Sequence, residues 1–103
     1  MAVTPCTISG TLKDADGNAI AGSVIITPSS FGLTASDNQQ IKPVEQTVTC
    51  DALGVWTADV IQSAMFDPAV TYQFEFRDAS GNFLYRDTSK TIPAETSKAY
   101  NDL

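Results

Sequence analysis

The chain has no histidine and only two cysteines among its 103 residues. Histidine is the commonest metal ligand and the commonest general acid or base, so the usual core of a metal site or a catalytic site is missing. Two cysteines alone do not make a zinc site. The sequence also contains no Gly-rich phosphate loop and no Gly-x-Ser-x-Gly motif. We therefore expect a protein that is not an enzyme and that holds no cofactor and no metal ion.

Basic residues and long apolar runs are also scarce. Six lysines and arginines stand against twelve acidic residues, which gives a net charge of −6. An acidic surface repels nucleic-acid phosphates and anionic lipids. No apolar run approaches the roughly 20 residues that a membrane-spanning helix needs, and residues 1–6 have neither the basic nor the apolar region of a secretory signal. We expect no nucleic-acid partner, no membrane partner and no secretory export.

What the chain does contain is a repeated turn signal. Asp-x-x-Gly or Asp-Gly sequences occur at residues 14–18, 51–54 and 78–82, and β-branched and aromatic residues fill the stretches between them. Turn residues between alternating apolar runs are typical of β-hairpins. A chain of this length forms one domain. We therefore predict a single domain over residues 1–103 with an all-β fold, a small antiparallel β-sandwich of about seven strands.

Alternation of apolar and polar residues places the strands and their core faces. Strands are predicted at residues 6–13, 23–28, 45–50, 55–61 and 70–77, with a further apolar stretch at 83–86. The predicted core face carries Cys6, Ile8, Gly10, Leu12, Val48, Cys50, Trp56, Ala58, Val60, Val70, Tyr72, Phe74 and Phe76. The third and fourth strands are predicted to pair as a hairpin, and Met65 and Phe66 to close one end of the sandwich. The turn carboxylates are expected to accept hydrogen bonds from their own backbone rather than to bind calcium.

The two cysteines allow two interpretations. Cys6 and Cys50 both fall on the predicted core face, and free cysteine is among the most often buried residue types. We therefore expect two free, inward-facing thiols. The alternative is a disulfide between Cys6 and Cys50, which would need an oxidising compartment.

Four side chains are candidates for contact with a partner. Phe31 and Leu33 lie in residues 29–43, the longest stretch without periodicity, and loops of this length are often functional. These two residues either fold back to cap the core or stay exposed as an interface. Tyr85 and Tyr100 are the aromatic residues expected to face outward, so they are candidates as well.

A strand, a turn and a second strand in residues 8–27 form the longest signal of the chain. It continues with Thr49-Cys-Asp-Ala-Leu-Gly-Val-Trp56 and with Val70-Thr-Tyr-Gln-Phe-Glu-Phe76. Together these stretches resemble the carboxypeptidase-regulatory or transthyretin-like β-sandwich superfamily, although Ala19 stands where that family usually has proline. The resemblance implies an Ig-like or prealbumin-like sandwich. It implies little about function, because this fold serves as a stalk, an adhesion repeat and a virion accessory alike.

A second resemblance concerns the carboxyl-terminal part of the chain. Residues 83–94 and the final Asn-Asp-Leu resemble small virion proteins of tailed bacteriophages in their general residue pattern, without a shared motif. This implies a non-enzymatic structural protein, a capsid cement or decoration protein or a neck or tail accessory, located in the virion and assembled in the host cytoplasm. Its partners would be capsid or tail subunits, bridged in a homo-oligomer or a symmetric assembly. The alternative is a bacterial cell-surface adhesion module or a carbohydrate-binding module.

Overall fold

The computed structural model describes residues 5–14, 16–29, 32–34, 40–41, 45–67 and 69–103. Within these ranges the chain forms β1 (Pro5–Thr11), β2 (Gly22–Pro28), β3 (Gly32–Thr34), β4 (Gln40–Ile41), β5 (Gln46–Cys50), β6 (Val55–Ile61), the 3₁₀ helix η1 (Ser63–Met65), β7 (Phe66–Asp67), β8 (Tyr72–Asp78), β9 (Phe83–Lys90), β10 (Ser97–Ala99) and the 3₁₀ helix η2 (Tyr100–Asp102). The five strands predicted from alternation correspond to β1, β2, β5, β6 and β8.

These strands form two main sheets and one small one. The first sheet has the order β10-β1-β6, the second has the order β5-β2-β8-β9, and β4-β3-β7 make the small sheet. β1 and β10 are parallel, whereas the other described pairs are antiparallel. The sheets of three and four strands enclose one core, which confirms the predicted small all-β sandwich.

The core lies between the two main sheets. Trp56 on β6 packs against Phe74 and Phe76 on β8, with ring centroids 6.2 and 6.0 Å apart. The buried apolar side chains are Cys6, Ile8, Leu12, Val24, Ile26, Cys50, Trp56, Ala58, Val60, Phe66, Val70, Tyr72, Phe74, Phe76 and Ile92. Burial alternates along these strands as predicted. Successive side chains of a strand point to opposite faces of its sheet, so only every second one reaches the core. In β2, Val24 and Ile26 face the core, and Ile25 between them is half-buried on the outer face of the sheet.

All three aspartate turns have the same internal hydrogen bonds. The Oδ1 atoms of Asp14, Asp51 and Asp78 each accept two main-chain N–H groups, from the residues two and four positions further on, at 2.8 to 3.0 Å. The glycine in each turn has a positive φ, between 77° and 85°, which an L side chain rarely adopts. The predicted backbone role of these carboxylates is confirmed. Cross-strand pairing puts the three turns at one end of the sandwich, here named the turn end.

The turns differ in what they connect, and this corrects the hairpin prediction. Only the turn at 78–82 joins two paired strands, β8 and β9. The turn at 14–18 leads from β1 to β2, and the turn at 51–54 leads from β5 to β6, so both cross from one sheet to the other. The predicted hairpin of residues 45–50 and 55–61 is therefore wrong. The N–H of Leu12 donates to the Gly54 carbonyl at 2.7 Å, so the second turn pairs with the end of β1 instead.

Residues 29–43 contain structure that the sequence did not indicate. β3 and β4 lie in this stretch and pair with each other and with β7. Phe31 lies outside the described residues, and for Leu33 the backbone is described, paired with Gln40 and Asp67. The two roles considered for Phe31 and Leu33 remain predictions. Phe66 is buried at the end of η1, as expected for a residue that closes the sandwich.

Both cysteines are buried and free. Cys6 lies on β1 and Cys50 on β5, strands that belong to different main sheets. Burial raises the pKa of both thiols, because a thiolate loses its hydration there. The alternative of a disulfide is not formed in this structure.

Candidate functional site

The exposed apolar side chains gather at the turn end. Among the described residues, five large hydrophobic side chains are between 39 and 71 % exposed: Leu53, Val55, Phe83, Leu84 and Tyr85. Each lies in or within three residues of the turn at 51–54 or the turn at 78–82. We name these five residues the turn-end patch. Val55 and Phe83 lie on the outer faces of the two main sheets, whereas Leu84 and Tyr85 border the groove between them. Exposed apolar side chains that gather in one region typically mark interaction surfaces.

β9 is exposed because the two main sheets have unequal widths. It is an edge strand of the four-stranded sheet and pairs with β8 alone. The opposing sheet has only three strands, and its outer strand β10 has three residues. Tyr85 lies opposite Phe76 and stacks on its ring at 6.2 Å, but its own outer side is open. The fold therefore leaves the start of β9 without a cover.

An apolar groove of about 510 Å³ runs beside this uncovered strand. Its lining is Gly10, Thr11, Leu12, Lys13, Asp14, Trp56, Phe76, Leu84, Tyr85, Tyr100 and Asn101. Trp56 and Phe76 are buried and form the floor. A side chain at Gly10 would place its Cβ 2.9 Å from the Trp56 indole, so the absence of a side chain there lets the indole lie against β1. We name this feature the turn-end groove.

Tyr85 and Tyr100, predicted separately as contact residues, come together through Asp87. The Tyr85 hydroxyl donates to Asp87 Oδ1 at 2.6 Å, and the Tyr100 hydroxyl donates to Asp87 Oδ2. The hydrogen bond to Asp87 and the negative charge of that carboxylate raise the pKa of Tyr85. Asp87 thus fastens η2 to β9.

Tyr100 does not face outward as the sequence analysis expected. Its ring packs edge-on against Trp56, Phe74 and Phe76, with centroids 5.7, 5.0 and 5.4 Å away. Such edge contacts place the positive rim of one ring on the negative face of another. Tyr100 is therefore a wall of the groove that is joined to the core, and Tyr85 is the exposed ring of the pair.

On the other face of the sheet, β9 is held by a carboxylate between two guanidinium groups. Glu75 on β8 is 7 % exposed and accepts hydrogen bonds from Arg86 Nη2 at 2.7 Å and from Arg77 Nε at 2.6 Å. The hydrogen bonds from Arg86 and then Arg77 lower the pKa of Glu75. Burial of this charge is tolerated because both partners are charged and hydrogen-bonded.

The groove offers apolar contact on its floor and polar groups at its rim, which is the chemistry of a binding site. Within the described ranges, no three side chains of His, Cys, Asp or Glu come together in a group that could hold a metal ion. The same ranges contain no helix of the length and apolar character needed to cross a membrane.

Four residues of the turn-end patch were missed by the sequence analysis. Leu53 lies in a turn, and Val55 has the opposite parity to Trp56, so neither belongs to the predicted core face. Phe83-Leu-Tyr85 carried a usable signal, because three consecutive apolar residues in a strand cannot all face the same core. Leu84 is the extra residue where the β8–β9 register shifts, and only the structure reveals that shift.

Comparison of the chain with protein-family models, with curated proteins and with solved structures finds no match. The likeness of residues 8–27 to transthyretin-like sandwiches therefore stays a prediction from the sequence.

Proposed function

We propose that the protein is a non-enzymatic structural component of a tailed-phage virion that binds a neighbouring virion protein through its turn end. The observation that carries the proposal is the turn-end patch beside the turn-end groove. The five most exposed large hydrophobic residues of the described chain lie at one end of the sandwich, although nothing in the core requires them there. A face of this kind is stabilised when a partner covers it.

Burial of these apolar side chains would supply enough free energy for association with a partner. Transfer of a large apolar side chain from water into an interface contributes on the order of 1–2 kcal/mol. Interface energy is usually concentrated in a few central side chains. Leu84 and Tyr85 line the same groove, and Phe83 precedes them on the same strand. The remaining contact would come from polar groups around the patch, as in most non-obligate interfaces.

The virion setting of the proposal is supported by the sequence. The carboxyl-terminal part of the chain resembles small virion proteins of tailed phages in texture, and it supplies β9, which carries most of the turn-end patch. A decoration or cement protein of a capsid, or a neck or tail accessory, repeats one contact over many symmetry-related sites. A small sandwich with one apolar end suits that arrangement.

Co-sedimentation tests this proposal. Particles of the phage or prophage whose genome encodes the chain are purified on a density gradient, and the protein is sought in the particle band. The double variant Phe83→Ser, Leu84→Ser is compared with Thr47→Ser, Thr49→Ser, whose residues are exposed on β5 at the opposite edge of the same sheet. Loss of the first variant from the particles, with the second retained, supports the proposal.

Two results would count against it. Absence of the unmodified protein from the particles would remove the virion setting. Equal retention of both double variants would remove the turn end as the contact surface.

One observation favours a glycan ligand as the second candidate. Tyr85 presents an exposed ring at the groove, and Asn101 and Asp14 supply polar groups to the same lining. An exposed ring with polar neighbours is a common platform for a sugar. Because Trp56 is the single tryptophan and lies on the groove floor, a change in its fluorescence on titration with soluble oligosaccharides would support this function as a module of adhesion or carbohydrate binding.

A further inference from the structure

The ladder between β1 and β10 stops before β1 does. Its last pair is Ser9 with Ala99, and the chain then turns into η2 at Tyr100. β1 continues to Thr11, and a further bridge to Ala19 keeps the backbone extended at Lys13. The final part of β1 therefore has β6 on one side and, on the other, the 3₁₀ helix η2, which contacts β1. We call this the open side because no strand of the described residues pairs there.

The main-chain groups of Thr11 point to this open side. The N–H of Thr7 donates to the carbonyl of Thr96 on the β10 side. Main-chain groups of successive residues in a strand point to alternate sides, so those of Ser9 and Thr11 point the same way as those of Thr7.

Lys13 shares that direction. Leu12 directs its N–H to the Gly54 carbonyl and accepts the N–H of Ile20, so it faces the other side and Lys13 faces the open one. Within the described part of the chain, no main-chain hydrogen bond joins Thr11 or Lys13 to a neighbour on the open side. The N–H and C=O groups of these two residues form a short unpaired strand edge.

This unpaired edge is one wall of the turn-end groove. Thr11 and Lys13 line the groove together with Leu84, Tyr100 and the buried rings of Trp56 and Phe76. An extended polypeptide satisfies both features at once. Its main chain pairs with the strand edge, and every second side chain points down to the apolar floor.

We propose that the turn-end groove binds an extended segment of a partner polypeptide, which adds a strand beside β1 where β10 ends and places large apolar side chains against Trp56 and Phe76. The proposal rests on the proposed function and names the kind of partner that its surface takes. The β1–β10 ladder fixes the place and direction of the open hydrogen-bonding groups, so an added strand would continue that ladder. A small apolar molecule would leave them unused.

The probe is the capped heptapeptide acetyl-Thr-Leu-Thr-Leu-Thr-Leu-Thr-amide. Binding is followed by Trp56 fluorescence and by amide shifts of residues 11–13 in NMR spectra. Two analogues carry N-methyl groups, one on the leucines and one on the threonines. In an added strand only one alternate set of N–H groups faces β1, so one analogue loses about tenfold in affinity and the other binds like the parent.

A variant of the protein tests the hydrogen-bonding group that β1 would offer to the added strand. Thr11→Pro removes the open N–H, and proline is tolerated at strand edges where that N–H faces solvent. We expect it to weaken peptide binding about tenfold, whereas Thr57→Ala on the outer face of β6 leaves it unchanged. If Thr11→Pro does not fold, the two methylated peptides decide the question with unmodified protein.

Three results would overturn the proposal. The first is equal binding of both methylated analogues, which indicates a site for side chains alone. The second is no binding at about 1 mM peptide, a concentration at which even a weak site with a free energy near −4 kcal/mol is half filled. The third is a concentration-dependent dimer that Thr11→Pro abolishes, with no peptide binding, which makes a second copy the occupant.

The two proposals fail separately. Particle association that depends on Phe83 and Leu84 but is unaffected by the loss of the Thr11 N–H would leave the proposed function and remove the added strand. Peptide binding by a protein that is absent from particles would leave the added strand and remove the virion setting.

Discussion

Strands β6 and β9 begin alike and are surrounded differently. Each follows an Asp-x-x-Gly turn with the same hydrogen bonds, and each opens with apolar residues. Alternate residues of β6 are buried against the four-stranded sheet, whereas the first four residues of β9 are all exposed. The comparison teaches that exposure at β9 follows from the unequal widths of the two sheets and not from its local sequence.

The forces that hold the two strands differ accordingly. β6 is held by apolar burial, with Trp56, Ala58 and Val60 in the core. β9 pairs with β8, and its side chains add polar contacts through Arg86 to Glu75 on one face and through Asp87 to Tyr100 on the other. The apolar residues at the start of β9 therefore stay exposed.

The largest expected loss of stability comes from a substitution in β6. Trp56→Ala removes a buried ring that contacts Phe74, Phe76 and Tyr100, and we expect it to lower the free energy of unfolding by about 3–5 kcal/mol. Denaturant titration measures this value. The matched variant Thr57→Ala, on the exposed face of the same strand, should cost less than about 1 kcal/mol. Equal losses for the two variants would contradict the burial pattern of β6.

The next largest loss of stability is expected from substitutions in the turns that precede β6 and β9. Gly54 and Gly81 occupy the same position in their turns, but a Cβ at Gly54 would lie 2.3 Å from the Leu12 carbonyl oxygen, whereas a Cβ at Gly81 meets no atom within 4 Å. Gly81→Ala should cost about 1 kcal/mol for its positive φ alone. Gly54→Ala should cost about 3 kcal/mol, because a backbone clash is added. Thermal unfolding of both variants would refute the account if Gly81→Ala were the more damaging.

A smaller, pH-dependent effect tests how β9 is attached. The pKa of Glu75 is lowered in the folded protein by Arg86 and Arg77, so the unfolded chain takes up the proton more readily. The stability from this carboxylate is fully present above its ordinary pKa of 4.5 and is lost as pH falls through the lower folded value. The stability gap between the unmodified protein and Glu75→Gln should therefore be widest near neutral pH and close in acid.

Glu95→Gln is the control for that experiment. Glu95 is an exposed carboxylate that meets Lys98 at 3.2 Å, and an exposed pair of this kind contributes little. Its variant should follow the unmodified protein at every pH. A gap for Glu75→Gln that stays constant from neutral to acid pH would show that the ionised carboxylate does not fasten β9.

Local sequence predicted the parts of the fold that depend on local physics. The alternation of Tyr72, Phe74 and Phe76 reports a half-buried strand, and each turn aspartate bonds its own backbone whatever the strands do. The same turn, however, joins paired strands at 78–82 and unpaired ones at 51–54. The choice is made by distant partners, such as the Leu12 N–H that reaches Gly54, and these leave no mark in the turn itself.

The candidate site was only partly predictable for the same reason. Tyr85 and Tyr100 were identified singly as aromatic residues outside the expected core. Their meeting at Asp87 depends on β10 pairing with β1, a parallel pair that no local pattern indicated. β10 is shorter than β1 and is followed at once by η2, so the lining of the groove combines residues that are distant in sequence.

Hydrogen–deuterium exchange of the protein, alone and mixed with purified virions, tests the proposed contact surface most directly. The account predicts that binding slows exchange in peptides that cover the turn at 51–54 and residues 83–85, with little change in the outer residues of β5. Protection confined to peptides around Phe31 and Leu33 would contradict the proposed contact, because the partner would then cover residues 29–43 and the turn end would stay exposed.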